Sequence, residues 1–279
     1  MARLPANPDD VRMSLGEHLT ELRRRIILAL IGIGVALVVC MVFVKPLVRF
    51  MANPVYDAVR QVESDIARQN AAVTGRQANP GPAPAAAPDE PLLVVLAPTE
   101  VFVTSMKTAL VAAIVLASPW VLYQFWLFIA AGLYPHERRI VYIFLPISVV
   151  LFLAGAVFAY TVVLKYGLYV LLTFAGLVGD MVRPTIRLSA AINFVLMIAV
   201  LMGCVFQLPL VMLALAKVGL VKNRSYVRYW RYALAGIFIA AAVITPTGDA
   251  FNMIAMAAPM LVLYWLGVLL VKLFVKERA

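Results

Sequence analysis

Charge is what this chain has least of. Only 14% of its 279 residues are Asp, Glu, Lys or Arg, while 64% are hydrophobic. A soluble domain is about a quarter charged and about half apolar. A soluble core gives no reason for five long stretches without charge, so the chain reads as an all-α polytopic membrane protein. Catalytic groups are equally scarce. His18 and His136 are the only histidines. Neither belongs to an HExxH metal motif, and neither sits with a serine and an acid as a hydrolase requires. No Walker A loop is present, which excludes ATP use by this chain. Cys40 and Cys204 are the two cysteines, each inside an apolar stretch and without metal-ligand spacing. Both are expected to be buried thiols acting as small hydrophobes, with no metal and no organic cofactor. No acid lies in the middle of a span, where ion-coupled carriers usually keep one.

What is present is a series of charge-free stretches at 26–44, 108–135, 140–164, 188–216, 233–247 and 250–271. A bilayer core of ~30 Å needs ~20 helical residues, and the first four stretches supply them. The fifth runs only from Ala233 to Ile244 before Thr245-Pro246, roughly 18 Å of helix. Two short final spans are preferred over a re-entrant hairpin, because 250–271 is nearly full length and a basic tail follows. The first stretch follows some 25 polar residues and has no small-residue cleavage site behind it, so a retained span is expected. With the N-terminus in the cytoplasm, fifteen of the 24 Lys and Arg fall inside and nine outside. Both ends are therefore cytoplasmic. The net charge of +10 is a topology signal under this count, and no nucleic-acid partner is implied. Trp120, Tyr123, Trp126, Tyr226, Tyr229, Trp230 and Tyr232 are expected as interface anchors.

Three regions follow: a cytoplasmic segment 1–25, a six-span membrane domain 26–272 and a tail 273–279. Within the long first outer loop, 69–92 is rich in Pro and Ala and is expected to be disordered or polyproline-like. The flanking stretch 46–68 is amphipathic, and Pro98-Thr99-Glu100 reads as a helix start.

The cytoplasmic face carries the candidate chemistry. Residues 16–35 read GEHLTELRRRIILALIGIGV, and the turn between spans two and three reads LYPHERRIV. Glu17, Glu21 and Glu137 stand there among arginines. A carboxylate in that setting suits a cationic ligand. The plainer alternative is local pairing, Glu21 with Arg25 at i,i+4 and Glu137 with a neighbouring Arg, at a few tenths of a kcal/mol. Composition alone favours the pairing. Gln207 is open to two readings: a helix-to-helix hydrogen bond of about 1 kcal/mol or a contact for a partner's helix. Taken alone, the first is ahead.

EHLTELRRRI before the first span, YQFWLFIAAGLYPHERR at the second inner turn, FAY in span three, FQLP in span four and TPTGD between the last spans together resemble the TatC family, the core subunit of the twin-arginine protein translocase. The resemblance runs from about Ser14 to Lys272. It implies a receptor rather than an enzyme. Such a protein recognises Arg-Arg signal peptides and exports folded proteins across the energised bacterial cytoplasmic membrane. Glu21, Leu22 and Arg23, with Phe128 and Glu137, match the family's recognition patch. Arg24 and Arg25 are expected to plant the helix. On the outer side Pro54, Tyr160, Thr245, Pro246 and Asp249 match family positions. The short last spans, with Ala233, Ala235, Gly236 and Ala240–Ala242, match the region where TatA- and TatB-type single-span subunits dock. Gln207, Thr245 and Pro246 are the expected partner contacts, and several copies of the chain are compatible with one complex. The chain departs from the family in having Gln207 where Glu is common, Leu164-Lys165 where Phe-Pro is frequent, and a longer outer loop.

Two other readings compete. A small-solute carrier would break spans three and four at Pro146 and Pro209 and line a midplane site with Asn193 and Gln207. A structural assembly protein would bind no ligand at Glu21 or Glu137.

Overall fold

The computed structural model describes residues 15–74, 93–133, 138–176, 186–244 and 250–275. Helix α1 (Leu15–Val42) begins well ahead of the apolar stretch, so Glu21 and the arginines already stand on the helix. Helix α2 (Val44–Thr74) covers the amphipathic stretch and continues through Pro54 into the first residues of the Pro/Ala-rich segment. Residues 75–92 lie outside the described set. Helix α3 (Pro98–Gly132) starts where Pro98-Thr99-Glu100 predicts, with Pro98 in the first turn behind an extended Ala97.

Helix α4 (Arg138–Phe158) passes unbroken through Pro146 and runs through a π-helical turn, Ala159–Val163, into α5 (Leu164–Gly176). Span four does break, into α6 (Leu188–Val205) and α7 (Leu208–Lys217) with Pro209 at the start of the second piece. Pro209 therefore sits at a break and Pro146 does not. A proline inside a helix frees one carbonyl, which neighbouring groups can re-satisfy without ending the helix. Pro119 shows how: the Ser118 hydroxyl donates to Val115 O at 2.7 Å, the carbonyl that Pro119 cannot reach. Helix α8 (Asn223–Arg228) lies between spans four and five, followed by α9 (Trp230–Ile244) and α10 (Ala250–Phe274).

Among the described residues, five helical segments are long and apolar enough to cross a membrane: Gly16–Val42, Pro98–Gly132, Val141–Val170, Leu188–Lys217 and Met253–Phe274. Trp230–Val243 is a shorter sixth. Of the last two helices, α9 is the short one, at 15 residues, and α10 reaches 25. Ahead of α3 and α6, β1 (Leu93–Val94) pairs in parallel with β2 (Ile186–Arg187).

Span four is the centre of the bundle. Over half (56%) of its most apolar window is buried, against 11% for α1. Gly155 on α4 lets α6 approach until a Cβ there would lie 2.7 Å from Met202 O. Gly203 on α6 likewise faces the Phe152 ring. Helices α1 and α3 run antiparallel along a seam of small residues, Ala36 and Cys40 against Ala109, Ala112, Ala113 and Ala117. Cys40 is buried as expected, but Cys204 is exposed. An apolar side chain is equally at home against lipid tails, so hydropathy cannot tell the two faces apart. Trp126 departs from its expected anchor role for the converse reason. It is 2% exposed, packed edge-on against Phe144.

Candidate functional site

The N-terminal end of α1 and the C-terminal end of α3 are joined by three contacts in series. Trp120 donates its indole N–H to Leu28 O at 2.9 Å, while its ring fills the space a Cβ on Gly32 would need. One turn nearer the rim, Arg25 donates from Nη1 to Gln124 Oε1 at 3.1 Å. At the rim the His18 ring stacks on Phe128, centroids 4.5 Å apart, above Gly132.

Arg25 is therefore more than a foot for the helix, which corrects the expectation for that residue. Its Nε and Nη2 also reach Glu21 Oε1, at 2.6 and 2.5 Å. The i,i+4 pair foreseen as the plainer alternative is formed. It is better placed than an exposed pair, since the two side chains are only 21% and 17% exposed and Gln124 is buried. Both Arg25 contacts use Oε1, and Oε2 bonds no described residue. Arg23 and Arg24 point outward, exposed, and Leu22 and Phe128 are half-buried. Glu137, with Thr245, Pro246 and Asp249, lies outside the described residues.

Sequence reasoning gave no role to His18 or Gln124. His18 stands inside the quoted motif, and its spacing to Glu21 and Arg25 puts all three on one helical face. Gln124 carried a fainter signal, a lone amide in an apolar span. Among the described residues the His18 Nδ1 is buried without a hydrogen-bond partner.

The opposite end of the bundle is built around two other acceptors. Pro54 has no N–H to give Phe50 O, four residues earlier, so that carbonyl is left over in α2. The Tyr160 hydroxyl donates to it at 2.8 Å, and the Tyr160 and Phe50 rings stack with centroids 4.5 Å apart. Two residues singled out separately are thus halves of one contact. Tyr160→Phe is expected to cost about 1 kcal/mol. In a Pro54→Ala background, where position 54 regains its N–H, that cost should nearly vanish. A double-mutant cycle on unfolding in detergent measures it; strict additivity would mean the two side chains act separately.

Glu100, absent from the expected site, is 5% exposed at the start of α3. It accepts from Leu96 N (3.0 Å), Arg187 Nε (2.9 Å) and Ser189 N (3.1 Å). It ties the beginning of α3 to the beginning of α6 beside the β1–β2 pair. Gln207 sits at the α6–α7 break and exchanges two 2.8 Å bonds with Ser148, accepting from its hydroxyl and donating to its carbonyl. The intramolecular reading of Gln207 is the one the geometry supplies. Asn193 is exposed on α6.

A family model described as Sec-independent protein translocase protein (TatC) matches residues 17–259. A protein of that name from Koribacter versatilis is 38% identical over 256 residues, spanning 92% of this chain and 84% of its own length. Another, from Carboxydothermus hydrogenoformans, is 33% identical over 270 residues, 97% of each chain. A crystal structure described as the twin arginine translocase receptor TatC matches with a TM-score of 0.73 at 30% identity, covering 93% of this chain and 100% of the other. The chain belongs to the TatC family of Sec-independent protein translocase proteins, multi-pass membrane transport subunits rather than enzymes.

Proposed function

We propose that this chain is the signal-peptide receptor and core subunit of a twin-arginine translocase. It binds Arg-Arg signal peptides at its cytoplasmic rim and moves folded proteins across the bacterial cytoplasmic membrane with TatA- and TatB-type single-span subunits, drawing on the proton motive force. In this reading 1–25 and 273–279 face the cytoplasm, 26–272 forms the membrane domain and 69–92 is an outer insertion. Glu21, Leu22, Arg23, Phe128 and Glu137 form the recognition patch. Thr245 and Pro246 face partner subunits, and Pro54, Tyr160 and Asp249 shape the outer side.

The observation that supports recognition best is the state of Glu21. Arg25, itself held by Gln124, fixes the carboxylate from one side through Oε1. Oε2 is left to accept a guanidinium N–H, and a held acceptor loses little entropy on binding. A planar guanidinium matches a carboxylate better than the ammonium of Lys. The carrier reading loses its polar lining. Gln207 is taken up by Ser148, and Asn193 is exposed.

The test is binding of an Arg-Arg signal peptide, beside a Lys-Lys version, to the purified chain in nanodiscs with its partner supplied. Wild type should prefer Arg-Arg, and Glu21→Ala and Glu137→Ala should each weaken that peptide about tenfold or more, the cost of losing one charge-assisted bond. Equal binding of both peptides by wild type would remove the recognition role.

A further inference from the structure

A groove of about 550 Å³ lies between α7, α8, α9 and α10. Its floor is apolar: Met212 on α7, Ile237 and Ala240 on α9, Met260 on α10. Its mouth, at the α8 end, is ringed by Tyr226, Tyr229 and Tyr232. The walls are fixed. Tyr264 donates its hydroxyl to Tyr226 O at 2.8 Å and Tyr226 donates to Met212 O at 3.1 Å, a relay that pins α8 over α7 and α10. Deeper in, Gly267 brings α10 against Met212 so closely that a Cβ would lie 2.7 Å from its sulfur.

Two features say what fits the groove. The first is Gly236. A glycine inside a helix costs about 1 kcal/mol relative to alanine. A Cβ there would meet nothing within 4 Å, so no packing inside the chain requires it. It keeps open a groove that its own helix could have filled. The second is charge. From Lys217 to Arg231 the sequence carries Lys217, Lys222, Arg224, Arg228 and Arg231 and no acid. Lys222, Arg224, Arg228 and Arg231 are exposed, and among the described residues none is in an ion pair. Arg228 lies over the Tyr229 ring, 5.7 Å from its centroid, which places its guanidinium at the mouth. Cations that serve topology alone need no apolar groove beneath them.

We infer that this groove is a binding site for one anionic phospholipid, its acyl chain lying over Gly236 and its phosphate held at the mouth by Arg228 and Arg231. Phosphate suits arginine, which offers a planar set of N–H donors. Juxtamembrane cations attract acidic headgroups. A partner helix is the other candidate for an apolar groove. It has a separate surface on α9, the exposed face of Ala235, Ile239, Ala242 and Val243, and it does not account for an acid-free collar. The site does not depend on the signal-peptide reading, since neither Glu21 nor Glu137 contributes to it.

The test uses the full chain in phosphatidylcholine nanodiscs doped with phosphatidylglycerol carrying a photoreactive acyl chain. Labelling should concentrate on peptides covering 225–240 and 256–264. Excess phosphatidylglycerol should suppress it, while phosphatidylcholine and glycerol 3-phosphate should not. Arg228→Gln with Arg231→Gln should reduce it about tenfold or more at unchanged lipid content. Gly236→Leu should fill the groove and abolish labelling without loss of folding. Three results would overturn the proposal: labelling spread evenly over all lipid-facing helices, equal competition by phosphatidylcholine, or labelling unaffected by both variants. A Gly236→Cys variant that cross-links to a co-purified single-span subunit, with no lipid labelling, would also overturn it and assign the groove to a protein.

Discussion

Glu100→Ala is expected to lower the midpoint of thermal unfolding in detergent by roughly 10 °C, followed through the tryptophan fluorescence. The carboxylate has three donors from two parts of the chain, Leu96 N ahead of α3 and Arg187 Nε and Ser189 N at the head of α6. The adjoining β1–β2 pair has two residues on each strand and is too short to hold those ends by itself. Truncation leaves two backbone N–H groups and a guanidinium without their acceptor at a site where Glu100 is almost fully covered. The effect should be asymmetric. The Arg187 side chain is 51% exposed, so a variant that removes it loses little that water cannot replace. Arg187→Gln should shift the midpoint by less than half as much as Glu100→Ala. Equal shifts would mean that the ion pair, and not the capture of the two backbone donors, holds the outer ends together.

Glu100 also shows where a sequence stops being readable. Its helix-start signature was legible, because Pro-Thr-Glu ahead of an apolar stretch has a local cause. Its long-range role was not. Arg187 and Ser189 are brought to it by the return of the chain through α4 and α5, which no local pattern encodes. The same division runs through the molecule. Six apolar stretches and the pairing of Glu21 with Arg25 at i,i+4 follow from spacing; the break at Pro209 does not, since the same reasoning put one at Pro146, where the helix runs on. The second partner of Arg25, Gln124, lies 99 residues away in sequence. The link between Pro54 and Tyr160 shows an intermediate case. The sequence says that Phe50 O has lost its donor, and only the fold says which hydroxyl replaces it.

Inside and outside were harder still. In water, an apolar residue belongs in the core. In a bilayer, apolar residues cover the surface as well, so Cys204 and Trp126 were each expected on the wrong side. Helix α1 and span four are both strongly apolar, yet they differ fivefold in burial. What separates them is the number of neighbours: α1 packs along α3, whereas the two halves of span four pack against α2, α3, α4 and α10. Gly155 and Gly203 face α6 and α4 respectively, whereas Gly34 on α1 faces open space.

That contrast gives the second large effect. Gly155→Leu should either prevent accumulation of folded protein or lower the unfolding midpoint by roughly 10 °C, while Gly34→Leu should shift it by less than about 2 °C. Both positions are glycines within helices of apolar spans, so lipid solubility and helix propensity change equally. They differ in what the new Cβ meets. At Gly155 it meets Met202 O at 2.7 Å and Phe206 Cβ at 2.9 Å; at Gly34 it meets nothing within 4 Å. A backbone carbonyl cannot rotate away, so α4 must move off α6 as a whole. The movement has a second consequence, because Ser148 and Gln207 exchange their two hydrogen bonds across the same interface. Separating the helices leaves the Gln207 amide without its partner at the α6–α7 break, where little water is available to replace it. Gly155→Ala isolates the contact from side-chain bulk. Since the Cβ alone is already too close, alanine should be clearly destabilising at 155 and neutral or mildly stabilising at 34. If Gly155→Ala unfolds at the wild-type temperature, the close approach of α4 to α6 is not what holds span four at the centre of the bundle, and the Ser148–Gln207 exchange must carry that interface instead.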